Sequence, residues 1–171
     1  MGRPANSSEL RELQSPLKER YREDPESALI TLEAEGTLDE GISCSVATGQ
    51  ALVRAGLHPG TGGDGSLACS GDMLLQALAA CAGVTMRSVA TSMEIEVSGI
   101  VRAEGDLDWR GTMAVDKEAP VGFKAIRMRF DLESDATDEQ LETLQRLTER
   151  YCVVLQTLAG SPELSVSLQR S

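Results

Sequence analysis

The sequence predicts an α+β domain with helices packed on an antiparallel sheet, and three observations carry that reading. Residues 70–84 form the most apolar run of an otherwise acidic chain, with strong helix formers and no proline. Several short segments alternate apolar and polar residues with period two and are joined by brief connections. Residues 137–160 then repeat apolar side chains at spacings of three and four. The resulting order is a hairpin, a buried helix, a meander, a helix and a last strand. Such a segregated order places helices against an antiparallel sheet rather than building a parallel one.

In chain order, residues 1–26 read as an N-terminal extension and residues 27–171 as a single domain. Leu10, Leu13 and Leu17 suggest an amphipathic helix over 8–21, broken or started anew at Pro16. Segments 28–36 and 41–47 alternate and pair as an antiparallel hairpin through 37–40, with Ile42, Cys44 and Val46 on one face. Residues 48–69, rich in glycine around Pro59, read as a loop. Neither GxGxxG nor GxxxxGK[ST] occurs there, so a phosphate cradle is not predicted, and His58 reads as loop packing.

In the central run, Ser70 is placed to cap a helix and Asp72 falls in its first turn, where a negative charge suits the dipole. Between residues 74 and 82 only Gln76 is polar, so this helix needs cover on every side. Ala77, Ala80 and Gly83 make a smooth strip for close backbone approach, and Cys81 sits among them. Segment 94–105 alternates in two halves around Gly99, 107–115 continues or pairs with it, and 123–132 is the clearest strand. Together they predict a meander with one wet face. Thr137 and Gln140 match a capping box ahead of Leu141, Leu144, Thr148, Tyr151, Leu155 and Leu158, with Gly160 as the stop. Segment 164–168 alternates again as a final strand.

Composition removes several functions. A net charge of -11 disfavours nucleic acid and anionic membrane surfaces, and 3% aromatic residues leave little for base stacking. The polar first residues lack the apolar core of a signal peptide, and Asp72, Gln76 and Arg87 leave too short an apolar stretch to span a bilayer. A soluble cytoplasmic protein is expected. Cys44, Cys69, Cys81 and Cys152 contain no CxxC pair, and His58 is the single histidine. Free thiols are therefore predicted, with no metal site and no cofactor.

Chemistry, if present, rests on Cys81 and Cys152. A thiol reacts as thiolate and needs a cation, a helix N-terminus or a base beside it. Cys81 lies too deep in its own helix for that helix's N-terminus to help, so the stabilising group must come from elsewhere. Periodicity by itself reads both Cys44 and Cys81 as small core residues.

The run Asp-Met-Leu-Leu-Gln-Ala-Leu-Ala-Ala-Cys at 72–81, followed some seventy residues later by Glu-Arg-Tyr-Cys-Val-Val at 149–154, resembles the OsmC/Ohr family. These are the osmotically inducible protein C and organic hydroperoxide resistance proteins, and the likeness, to a divergent OsmC-like branch, spans about 28–168. It implies an intertwined homodimer in which antiparallel sheets wrap central apolar helices. It also implies a thiol-dependent peroxidase of oxidative-stress defence that reduces organic hydroperoxides. Cys81 would be the peroxidatic thiol and Cys152 the resolving one, with a dithiol reductant reopening their disulfide.

Departures from the family pattern accompany this resemblance. Active members carry a glutamate at the position of Gly71, and Asp72 stands one residue later. Nine helical residues rise about 13.5 Å and turn the side chain away, so Asp72 would serve Cys81 only across a dimer interface. The family's arginine comes from the first hairpin turn, yet 37–40 contains none; Arg54 and Arg87 are candidates to replace it, and spacing selects neither. Val153 stands where a proline often follows the second cysteine. These departures also suit an alternative, a non-enzymatic dimeric scaffold or small-ligand binder that has kept the fold and lost the site.

Overall fold

The computed structural model describes residues 6–24, 36–38, 43–47 and 52–170. The α+β architecture is present. Helix α1 (Ser7–Glu23) opens with Asn6, whose side-chain oxygen accepts the Glu9 N–H at 3.0 Å. It runs unbroken through Pro16, where the sequence suggested a break, and lies against the central helix with Leu10 buried. Ser7 Oγ donates to Glu94 Oε1 at 2.7 Å and ties the extension to the domain.

Strands β1 (Gly36–Leu38), β2 (Ser43–Ala47) and β3 (Leu52–Gly56) form an antiparallel sheet in that order. The predicted hairpin exists with a later first arm: Thr37 and Leu38, read as turn, pair with Ser45 and Cys44. The expected arm at 28–35, and Ile42, lie outside the described residues. The reading of 48–69 as a loop is corrected by β3, which pairs with β2 along its length and bridges Ala55 to Ala68. Arg54 in its middle and Gly56 at its end hid so short a strand. Beyond it the loop turns on His58, whose Nδ1 accepts the Gly60 N–H at 2.9 Å. The His58 ring stacks on Trp109 at 4.9 Å, the packing role foreseen for it.

Helix α2 (Ser70–Ser92) runs eight residues beyond the apolar stretch. Its cap position is Cys69, not Ser70, and no side chain caps it. Met86, Val89 and Ala90 keep the helical spacing through a more polar stretch. At 23 residues the helix is, by length and composition alone, long and apolar enough to cross a bilayer, contrary to the expectation from its first half. One stripe of it packs, with Leu78, Ala82, Met86 and Ala90 buried at spacing four against the following elements. Cover on every side is not found among the described residues: Ala77 and Ala80 are exposed and Val84 is 73% exposed.

Strands β4 (Ser98–Asp106) and β5 (Ala125–Glu133) pair antiparallel from Ser98–Glu133 to Asp106–Ala125. Val101, Ala103, Ile126, Met128 and Phe130 turn inward. Arg102, Arg127 and Arg129 form ion pairs with Asp131 and Asp106 on the wet face. Such exposed pairs add about 0–1 kcal/mol each, so the apolar face decides the packing. Gly99 takes φ 133°, and a Cβ there would stand 2.0 Å from the Asp131 carbonyl oxygen, which only glycine avoids. The third strand expected at 107–115 is replaced by α3 (Trp109–Thr112), because the Asp108 carboxylate accepts the Arg110 N–H and caps a turn.

Helix α4 (Asp138–Tyr151) begins with the predicted capping box, Gln140 N–H to Thr137 Oγ1 at 3.3 Å and Thr137 N–H to Gln140 Oε1 at 2.9 Å. It does not continue to Gly160. The chain breaks at Cys152 (φ -73°, ψ 105°) and restarts as α5 (Val153–Gly160). The last strand expected at 164–168 is absent: those residues pair with nothing described, and Leu164, Val166 and Leu168 are almost fully exposed.

Two apolar clusters result. Met86, Ala90, Ile95, Val97 and Leu144 fill one end. Leu78, Ala82 and Cys152 fill the other, flanked by the inner face of β4 and β5 and by Val154, Leu155 and Leu158. Leu144 is fully enclosed in the first, so Leu144→Ala is expected to cost about 2–5 kcal/mol. Urea unfolding followed by circular dichroism measures this.

Candidate active site

The two thiols chosen from the sequence come together. Cys81, half-buried in the middle of α2, packs against the cluster that contains Cys152, which is fully enclosed at the α4–α5 junction. Both thiols are free.

Local sequence explains the placement. Leu78 and Ala82 share the buried stripe of α2, which sets Cys81 on its edge. Leu144 and Thr148 hold the last turns of α4 against the core, and the buried Thr148 hydroxyl donates to the Leu144 carbonyl at 2.8 Å. The Cys152 N–H closes α4 on the Thr148 carbonyl, while the Cys152 carbonyl accepts the Gln156 N–H and opens α5, both at 2.9 Å. The first amides of α5 therefore have no acceptor within their own helix.

Val154 packs against the same cluster as Cys81. Burial pushes its thiol up, but donors outweigh burial: the Val154 N–H, the Cys152 thiol, the Val153 N–H and the Thr85 hydroxyl together bring it below its ordinary value. Cys152 moves the other way. Burial pushes it up, the Leu155 amide pulls against that rise, and the neighbouring Cys81 adds to it. Cys81 therefore ionises first and keeps its proton-bearing neighbour neutral, a division of labour that suits an attacking thiolate beside a second thiol.

The remaining residues singled out from the sequence are elsewhere. Asp72 is exposed in the first turn of α2, nine residues from Cys81. Arg54 lies on β3 opposite Ser45. Arg87 donates to the Val97 carbonyl at 2.6 Å, toward the far end of α2. Among the described residues no guanidinium or carboxylate is among the causes that shift the Cys81 thiol. Sequence reasoning missed Thr85 and the amides of Val153 and Val154. Thr85 was detectable as the residue one helical turn after Cys81, whereas backbone amides carry no residue signal. Cys69 stands about 18 Å up the helix from Cys81 and takes no part.

Comparison with known proteins places this geometry. Residues 63–167 match the family model described as OsmC-like protein. No curated protein matches the chain. Among solved structures, an OsmC-like protein from Mycoplasma pneumoniae is similar with 17% identity and a TM-score of 0.65, over 77% of this chain and 89% of that one. An organic hydroperoxide resistance protein OsmC from Legionella pneumophila shares 18% identity with a TM-score of 0.57, over 78% and 92% of the two chains. An organic hydroperoxide resistance protein from Elizabethkingia anophelis shares 15% with a TM-score of 0.58, over 78% and 91%. At these identities the structural likeness speaks for the fold, while the family model covers well over half the sequence. The chain belongs to the OsmC-like family.

Proposed function

We propose that the protein is a thiol-dependent peroxidase that reduces organic hydroperoxides in oxidative-stress defence. One observation carries the proposal: Cys81 packs against the cluster that encloses Cys152 at the α4–α5 junction, and the two thiols are pushed in opposite directions. The Cys81 thiolate attacks the outer oxygen of ROOH and the O–O bond breaks. The alkoxide takes a proton and leaves as ROH, and Cys81 becomes a sulfenic acid. The Cys152 thiol then condenses with it, releasing water and forming a disulfide. A dithiol reductant of a reducing cytoplasm reopens that disulfide by exchange.

The surroundings favour organic substrates. Val84, one turn beyond the thiol, and Val153, which carries one of the donating amides, expose apolar side chains beside the site. They suit an alkyl or aryl group better than hydrogen peroxide. The open stripe Leu74, Ala77, Ala80 and Val84 supports a homodimer, since small residues allow a second copy of α2 to approach closely and bury it. A non-enzymatic scaffold is the second reading, favoured by glycine at 71 and by the lack of an arginine in 37–40.

Stoichiometric cumene hydroperoxide is expected to convert Cys81 and Cys152 to a disulfide seen by peptide mass spectrometry. Cys81→Ser abolishes turnover, and Cys152→Ser stops at a trapped sulfenic acid. Both thiols staying reduced would sink the peroxidase and leave the scaffold. Because Cys81 lies below and Cys152 above the ordinary thiol range, alkylation of Cys81 is expected to persist at lower pH than that of Cys152. Light scattering on a sizing column should give twice the 18.2 kDa chain mass, and Ala77→Glu should halve it.

A further inference from the structure

We infer that Gln156 is a positioning residue of this site, its side chain holding the helix broken at Cys152 by occupying the carbonyl that an unbroken helix would give to Val153. The inference rests on the reading of Cys152 as the thiol that must meet Cys81. In a continuous α-helix each N–H donates to the carbonyl four residues back, so the Val153 N–H would take Glu149. At Cys152 a ψ of 105° turns the next peptide off the α4 axis, and the Glu149 carbonyl loses its helical donor. The Gln156 side chain takes that donor's place: its Nε2 donates to the Glu149 carbonyl at 2.8 Å.

Gln156 grips the elbow at two points. Its backbone N–H donates to the Cys152 carbonyl at 2.9 Å and opens α5, while its side chain reaches back past Cys152 to the last turn of α4. One residue therefore fixes the end of one helix and the start of the next, on either side of the thiol.

Packing does not explain this side chain. Gln156 is exposed, whereas Val154, Leu155 and Leu158 make the contacts of α5 with the cluster around Cys152. Removing the amide opens no cavity. It leaves the Glu149 carbonyl to the Val153 N–H. Straightening the chain there would carry the fully enclosed Cys152 thiol away from the cluster against which Cys81 packs.

The test is the equilibrium of the Cys81–Cys152 disulfide with dithiothreitol at neutral pH, read as the oxidised fraction by peptide mass spectrometry. The two thiols give two electrons and two protons to oxidised dithiothreitol, which becomes the dithiol. Gln156→Met keeps the length of the side chain and removes the donor. Its oxidation constant is expected to fall roughly three- to tenfold, the loss of one neutral hydrogen bond. Gln156→Lys, whose ammonium also donates to carbonyls at a helix end, should return most of that loss. A Gln156→Met constant equal to wild type overturns the inference, even where the variant unfolds at lower urea, because the bond then serves stability alone. A lysine variant that behaves like methionine overturns it too. So does a wild type that forms no Cys81–Cys152 disulfide with oxidised dithiothreitol, since the elbow then holds Cys152 out of reach. No peroxide enters this assay, so a wild type inert to cumene hydroperoxide would remove the peroxidase reading while leaving this outcome to stand or fall alone.

Discussion

Everything at the site depends on the break between α4 and α5. One residue, Cys152, ends a helix, starts the next and carries a thiol. Had α4 continued unbroken, the amides of Val153 and Val154 would have bonded to carbonyls one turn back. The break frees them to donate outside their own helix. On the carbonyl side the Gln156 side chain donates to the Glu149 carbonyl at 2.8 Å, so the junction is satisfied from both directions.

The junction is held by the core rather than by the loop around it. Leu144 and Thr148 lock the end of α4, while Val154, Leu155 and Leu158 lock α5 against the inner face of β5. Opposite them α2 presents Leu78 and Ala82 on the same cluster, which leaves Cys81 little freedom in angle or height. β4 packs over α2 beside Gly83, where an added Cβ would meet Val101 at 3.5 Å, an ordinary contact. Reactive groups mounted on packed helices in this way are oriented before any substrate arrives.

Much of the fold was legible because apolar spacing reports burial. The stripe of α4, the alternation of β5, the capping box and the α2 core all follow from which side chains must leave water. The break at Cys152 left no such trace. Thr148, Tyr151, Leu155 and Leu158 keep helical spacing straight through it, and valine is not a helix breaker. A proline at 153 would have announced a helix start, since proline favours the first helical position. β3 was hidden by its length, and α3 by the capping ability of Asp108, which overrode the alternation around it. Segment 164–168 shows the converse: it alternates, yet nothing described in this chain covers it. The pairing of Cys81 with Cys152 was legible only through the motif resemblance, because no periodicity links positions so far apart in sequence.

The departures from the family pattern bear on one another. Proline has no N–H, so Val153 supplies a donor that the family's proline lacks, at the start of α5. On the proposed reading, a neutral N–H stabilises a thiolate without cancelling its charge, and the apolar side chains exposed beside the site, Val84 and Val153, favour an uncharged alkyl or aryl group.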